Sequence, residues 1–300
     1  MSWFRFSIFT LVGMSAFAAL VSAQSLPAGE VEPVPPAADV VALVPQRLKE
    51  KGVLTVATMT KYQPYSYVVG GKNVGMIPEM VTAVAQTMGL KAEISTMDFP
   101  GILLGLQAKK YDIGMGEYFV REDRLEVADF ITEWSNYNSF IVNKDSAYQP
   151  QGLPDICGHK IAILAGSSGV PAMEIGKKRC KEACNPAPEV SSFPAMADAV
   201  LALSSNRVEA VLTGREVGLA MISQGQPFTT VGKVGGGPTA TAVTRTDDSE
   251  EVLKALQAAY LHLIESGVYA KIHKRWGTDY GMIDNPSIYR KGDTPPSYAN

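Results

Sequence analysis

Residues 116–130, GEYFVREDRLEVADF, place an acid, two aromatic residues and two arginines directly after the apolar run YDIGM. Arg124 is the first candidate for chemistry: its guanidinium is a rigid, planar fork of donors that matches a carboxylate in two parallel hydrogen bonds, which a lysine cannot do. Glu117, Tyr118 and Phe119 stand beside it. The mixed-charge run VREDRLE is equally the pattern of an exposed helical turn, so spacing alone leaves both roles open for Arg124. A second candidate is Gly166-Ser167-Ser168, which ends the strand-like KIAILA and opens a helix, where free N–H groups and hydroxyls would face an anion. Plain helix capping by the same serines is the alternative. A third group is aromatic: Tyr62, Tyr65 and Phe99 each follow a strand-like stretch, where a flat ring can cover a ligand with little loss of side-chain entropy.

Positive signals for catalysis are missing. His159, His262 and His273 are isolated, and HExxH, GxSxG and CxxC do not occur. Gly166-Ser167-Ser168-Gly169 lacks the Lys and the spacing of a nucleotide-binding loop. The expectation is therefore no catalytic residue, no metal and no cofactor. The formal net charge of −3, without a basic stripe, argues against a nucleic-acid partner.

The elements that must position these residues follow from periodicity. LTVATM (54–59), KAEIST (91–96) and YDIGMG (111–116) read as strands; between them IPEMVTAVAQTMG puts apolar residues at helical spacing and GILLGLQAKK forms a shorter helix. The same order returns from Lys160: KIAILAG, a helix through VPAMEIGKKRC, the strand EVSSF, a helix with Met196, Val200 and Leu203 inward, and VEAVLTG. Alternation of this kind implies parallel sheets with right-handed crossovers. The fold class is α/β, two doubly wound lobes joined by a two-strand hinge, with the crossings near residues 139–146 and 229–244. Lobe 1 is expected to span 46–141 and 238–284, and lobe 2 to span 142–237. Ligands of open parallel sheets sit beyond the carboxyl ends of the strands, which is where YDIGM delivers the opening fragment.

Residues 1–23 have one early cation, Arg5, an apolar run, and Val21-Ser22-Ala23 before the cleavage point of a secretory signal peptide. Export implies no membrane insertion of the mature chain and makes a disulfide expected among Cys157, Cys180 and Cys184, although an odd count does not fix the pair. The Pro- and Ala-rich stretch 24–45 reads as a mobile lead-in. The tail 285–300 reads as a loosely packed extension.

Taken together, LTVATMTKYQPYSY, GMIPEMVTAVAQTMGL, YDIGMGEYFVREDRLEVADF, CGHKIAILAGSS, VEAVLTGREV and GVYAKIHKRWG resemble the periplasmic solute-binding proteins of amino-acid ABC importers, family 3 of the bacterial extracellular solute-binding proteins. The likeness runs from about Pro45 to Gly277. It implies the type II periplasmic-binding-protein fold, a periplasmic location, a small carboxylate-bearing ligand and an ABC permease in the inner membrane as partner. It implies that Arg124 grips the ligand α-carboxylate, that Ser167 and Ser168 assist from lobe 2, and that Tyr62 and Phe99 sandwich the solute. It also implies a Cys157–Cys180 bridge.

This chain departs from the family pattern at the ammonium site. Members resembling it hold the α-ammonium with an Asp where Gly214 stands, and with a Ser or Thr where Phe119 stands; Met59 occupies the place of an Asp in members that select basic side chains. A buried ammonium without an acceptor costs several kcal/mol. Either Glu117 replaces the missing acceptor, or the solute lacks an ordinary α-amino group and Arg215 favours a second acidic group. The expectation drawn is an atypical amino acid or amino-acid-like solute, neither a basic nor a simple polar amino acid. Two other functions compete. The scaffold resembles that of cyclohexadienyl dehydratases, for which Glu216 would be the displaced catalytic acid; alternatively the chain senses a ligand for a periplasmic or membrane partner.

Overall fold

The computed structural model describes residues 32–298, so the expected signal peptide lies outside the described residues. Within the expected mobile lead-in, residues 32–45 are packed instead. Val34, Ala37, Val40 and Val44 recur at three- to four-residue spacing and are buried, an apolar stripe that continues through α1 (Ala38–Leu43) and packs on lobe 1. The backbone of Val34 and Ala37 is tied to Gln86 and Thr87. The prolines that suggested mobility also reduce the conformational entropy lost on ordering. Helix α2 (Gln46–Lys51) is pinned by Arg47, whose guanidinium bridges Asp112 at 2.7 Å and Asp248 at 2.8 Å.

Lobe 1 continues with β1 (Val53–Met59), a small hairpin of β2 (Tyr67–Val69) and β3 (Lys72–Val74), α3 (Met76–Thr87), β4 (Lys91–Met97), α4 (Phe99–Gln107), β5 (Ile113–Phe119), the short α5 (Glu122–Leu125) and β6 (Asp129–Asn143). The apolar positions predicted for α3, from Ile77 to Met88, are buried, and Gly89 takes the left-handed conformation that ends it. Lobe 2 contains β7 (Lys160–Leu164), α6 (Gly169–Glu182), β8 (Glu189–Phe193), α7 (Met196–Ser204), β9 (Ala210–Gly214) and α8 (Arg215–Ser223). The chain then returns along β10 (Phe228–Val243) to α9 (Ser249–Glu265), α10 (Val268–Trp276) and β11 (Ile288–Tyr289).

The sheet order is β4-β1-β5-β10-β6-β9-β7-β8. Each half repeats one plan: β1 lies parallel between β4 and β5, and β7 lies parallel between β8 and β9. The long strands β6 and β10 run antiparallel through both halves and link them. Their mutual register shifts between Val231 and Val234, again between Val234 and Gly237, and again between Thr239 and Ala240, where the chain passes from one lobe to the other. Ser139, Phe140 and Ile141, expected at the end of lobe 1, pair with β9 and so belong to lobe 2; the crossing falls a few residues earlier than expected because apolar character does not change across it. Cys157 and Cys180 are bridged, with Cα atoms 5.5 Å apart, and Cys184 is free and exposed.

The tail is also more ordered than expected. β11 pairs with β6 through Ile288 and Tyr289, Ser287 and Thr132 exchange hydrogen bonds, and Tyr298 stacks on Phe119.

Candidate solute-binding cleft

The carboxyl ends of the parallel strands of the two lobes converge on one cavity. From lobe 1, β1 contributes Met59 and the following loop Tyr62, α4 starts with Phe99, β5 ends in Glu117 and Phe119, and α5 carries Arg124; from lobe 2 come Leu164, Ser167, Ser168, Thr213 and Gly214. Asn136 and Asn138 reach in from the crossing strand β6, and Thr239 from β10. The free volume is about 40 Å³, far below the several hundred Å³ of a typical small-molecule site. A solute the size of an amino acid therefore requires the lobes to part.

Among the described residues that line the cavity, Arg124 is the one cation and Glu117 the one carboxylate. Arg124 is 2% exposed. It donates from Nη1 to the carbonyl of Phe119 at 2.8 Å and from Nη2 to that of Gly166 at 2.8 Å, the second bond crossing from lobe 1 to lobe 2. Its guanidinium lies over the rings of Tyr118 and Phe99, at 4.9 and 5.6 Å from their centroids. Burial, with Arg121 adding to it, pulls its pKa down to about 10, so it stays charged at neutral pH. Among the described residues it forms no ion pair. A charge held by dipoles and ring faces, with donors to spare, is the arrangement an incoming anion completes.

Glu117 sits in the left-handed region at φ 54°, which turns its side chain inward from the end of β5. Its Oε1 accepts hydrogen bonds from Asn136 Nδ2 at 3.0 Å and Trp134 Nε1 at 3.2 Å. Oε2 is buried without a partner. Burial first, and Glu216 second, hold this carboxyl well above its ordinary range. Gly214 faces it across the cavity: a Cβ there would lie 3.9 Å from Glu117 Oε2 and 3.0 Å from Asn136 Nδ2. A side chain at 214 would thus press first on the Asn136 amide and come into ordinary contact with the lobe 1 acid.

Eight of the ten expected ligand residues, Tyr62, Phe99, Glu117, Phe119, Arg124, Ser167, Ser168 and Gly214, line this cavity together. Tyr118 does not. It is fully buried beneath Arg124, between Phe99 and Phe130, because alternate residues of β5 face opposite sides of the sheet. Arg215 also lies outside, since it begins α8 and points over the rings of Tyr137 and Tyr280. Glu216, the acid of the competing enzymatic reading, is absent from the lining residues. Its carboxylate accepts from Tyr65 Oη at 2.9 Å and from Tyr280 Oη, both on the opposite lobe. Both oxygens are engaged in joining the lobes.

Asn136 and Asn138 were not anticipated. Their signal is present in the sequence: two amides at alternate positions interrupt the apolar strand ITEWSNYNSFIV. Asn138 donates to Ser168 Oγ at 3.1 Å and Asn136 supports Glu117. Tyr62 Oη lies 3.4 Å from Thr213 Oγ1, and Arg121 donates to the carbonyl of Ser167, adding further bonds across the cleft.

Comparison with known proteins agrees with this architecture. The arginine-binding protein ArgT of Corynebacterium glutamicum is 26% identical over 276 residues, covering 88% of each chain. The L-cystine-binding protein TcyA of Bacillus subtilis is 25% identical over 232 residues, 76% of this chain and 82% of the relative. The structure of an ancestral arginine-binding protein bound to arginine superposes with a TM-score of 0.67 at 29% identity, covering 75% of this chain and 98% of that one. The profile of the bacterial extracellular solute-binding proteins, family 3, matches residues 54–279, and the chain belongs to that family.

Proposed function

We propose that this protein is exported, captures an α-amino acid with an uncharged side chain between its lobes, and delivers it to an ABC permease. The observation that carries the ligand class is the pairing of one buried cation with one buried carboxylate on a single cavity. Arg124 receives the α-carboxylate, assisted by the hydroxyls of Ser167 and Ser168. Glu117 Oε2, unpartnered and facing Gly214, receives the α-ammonium, so the acceptor that resembling proteins carry on lobe 2 is supplied here by lobe 1. Tyr62 and Phe99 cover the solute. A cationic side chain would find no second acid in the lining, where Met59, Leu164 and Leu212 are apolar. Binding of arginine is therefore disfavoured, although relatives are named for it. Closure follows from contacts that exist only when the lobes meet: Arg124 to Gly166, Tyr62 to Thr213, and Tyr65 to Glu216.

A second reading draws on the raised pKa of Glu117. A protonated Glu117 donates a hydrogen bond, which suits a carboxylate-bearing solute without an amino group. The two readings give opposite pH dependence. An ammonium displaces the proton, so affinity strengthens as pH rises toward the pKa of the free site and binding releases a proton; a neutral acceptor requires the proton and weakens as pH rises. Calorimetric titration with the twenty standard amino acids, repeated in buffers of different ionisation enthalpy, decides between them. Tight binding of lysine, arginine or histidine would sink the uncharged-side-chain reading. Conversion of prephenate or arogenate would replace capture with catalysis.

A further inference from the structure

The family match ends at residue 279, yet the chain beyond it returns to the cleft at two places. Tyr280 directs its hydroxyl between Asn136 Oδ1, at 3.0 Å, and Glu216 Oε1 of lobe 2. Asn136 in turn holds Glu117. The chain is then stitched along lobe 1 by β11 and by Arg290, which forks onto Glu250 at 2.9 and 2.8 Å. It ends with Tyr298 against the outer face of Phe119, ring centroids 4.3 Å apart and planes 11° from parallel.

The Tyr298 hydroxyl accepts from the backbone N–H of Val120 at 2.7 Å and donates to the carbonyl of Pro238 at 2.8 Å. Val120 follows the strand that presents Glu117 and Phe119; Pro238 lies on the crossing strand β10. Gly237 permits this approach, since a Cβ there would fall 2.9 Å from the Tyr298 ring. One phenol thus satisfies two backbone groups and ties the wall of the cavity to the hinge.

We propose that residues 280–298 form a strap whose two tyrosines are positioning residues for the cleft: Tyr298 fixes Phe119 and the end of β5 against the hinge, and Tyr280 fixes Asn136 and latches Glu216. The closed arrangement then depends on the chain's own C-terminal segment as well as on solute. The ligand arm of the test rests on the capture reading above; the conformational arm does not.

Full-length protein is spin-labelled at the native exposed Cys184 in lobe 2 and at Lys110→Cys in lobe 1, and the interlobe distance distribution is measured without solute. Tyr298→Ala, Tyr280→Phe and a chain ending after Asn285 are each expected to shift the distribution toward longer distances. Tyr298→Phe keeps the ring and removes both hydrogen bonds, so it should lie between Tyr298→Ala and the parent; it also serves if the alanine variant folds poorly. In parallel, titration with L-glutamine should show binding weakened by at least about tenfold for Tyr298→Ala, Tyr280→Phe and the shortened chain, and by less for Tyr298→Phe. Unchanged distances in all four variants would overturn the strap. Shifted distances in a parent that binds none of the twenty amino acids would leave the strap standing and refute capture instead. Parent-like distances with a parent that does bind would refute the strap alone.

Discussion

At the carboxyl end of β5, lobe 1 presents Glu117 and Phe119 and, one turn later, Arg124; at the carboxyl end of β9, the strand in the equivalent place of lobe 2, the residues are Leu212, Thr213 and Gly214. The lobes repeat one β-α-β plan, yet lobe 1 supplies both charges and the aromatic cover, while lobe 2 supplies hydroxyls and the Gly166 carbonyl. Lobe 1 buries Glu133 and His273; lobe 2 carries the Cys157–Cys180 bridge, with Cys180 inside a smaller apolar cluster of that lobe. A shared scaffold thus places both charged groups of the cavity on one lobe and neutral dipoles on the other.

The largest effect expected from this asymmetry is a pH dependence of stability that resides in lobe 1. Glu133 is buried, with Oε1 unpartnered, and burial raises its pKa to about 8 from an ordinary 4.5. Its folded form retains a proton that the unfolded chain releases, so its contribution is full below pH 4.5 and is lost as pH rises through 8, on the order of 5 kcal/mol. His273 runs the other way. Burial lowers its pKa to about 4 from 6.5, so its contribution is present above 6.5 and lost as pH falls through 4. Urea unfolding of Glu133→Gln at pH 5 and pH 9 should show the alkaline loss much reduced; an unaltered profile would remove Glu133 from the account.

Arg124→Ala should weaken solute binding by about 2 to 4 kcal/mol, because a charged partner is removed from a desolvated site. An unchanged dissociation constant would show that lobe 1 does not provide the anion clamp. Reduction of the disulfide addresses lobe 2: the bridged residues are 23 apart in sequence, and closing a loop of that size contributes about 3 kcal/mol. Hydrogen exchange should then accelerate in β7, α6 and β8 while α3 and α9 of lobe 1 keep their protection; uniform acceleration would mean that the lobes are not independent in stability. The smallest effect is Ser168→Ala, which removes one neutral hydrogen bond from lobe 2 and should cost about 1 kcal/mol of affinity. A loss as large as that for Arg124→Ala would contradict the division of labour between the lobes.

Much of the lining of the candidate cavity was legible because it lies at strand ends. Tyr62, Glu117, Arg124, Ser167 and Ser168 lie at or just beyond the ends of apolar strands, Phe99 follows the exposed edge strand β4, and in a parallel sheet such ends meet on one edge. Tyr118 turns away from the cavity and packs between Phe99 and Phe130 beneath Arg124, a placement fixed by tertiary contacts that residue type alone does not signal. Arg215 was misplaced because a helix starts there and carries its side chain off the strand axis. The lead-in is packed although its Pro- and Ala-rich composition suggests mobility, because Val34, Ala37, Val40 and Val44 share one buried face.

Periodicity and turn chemistry by themselves determined the β-α-β repeat, the parallel sheets and the edge on which a ligand would sit, because those depend on neighbours within a few residues of one another. Only the tertiary structure decided that the carboxylate facing Gly214 comes from Glu117, with Oε1 held by Asn136 and Oε2 left without a partner. It alone brought Tyr280 to Glu216 and Tyr298 to Val120, contacts spanning 64 and 178 residues. Such pairs carry no local signal: their energy comes from satisfying buried polar groups at points where distant segments happen to meet, and that meeting is fixed by the packing of the whole chain.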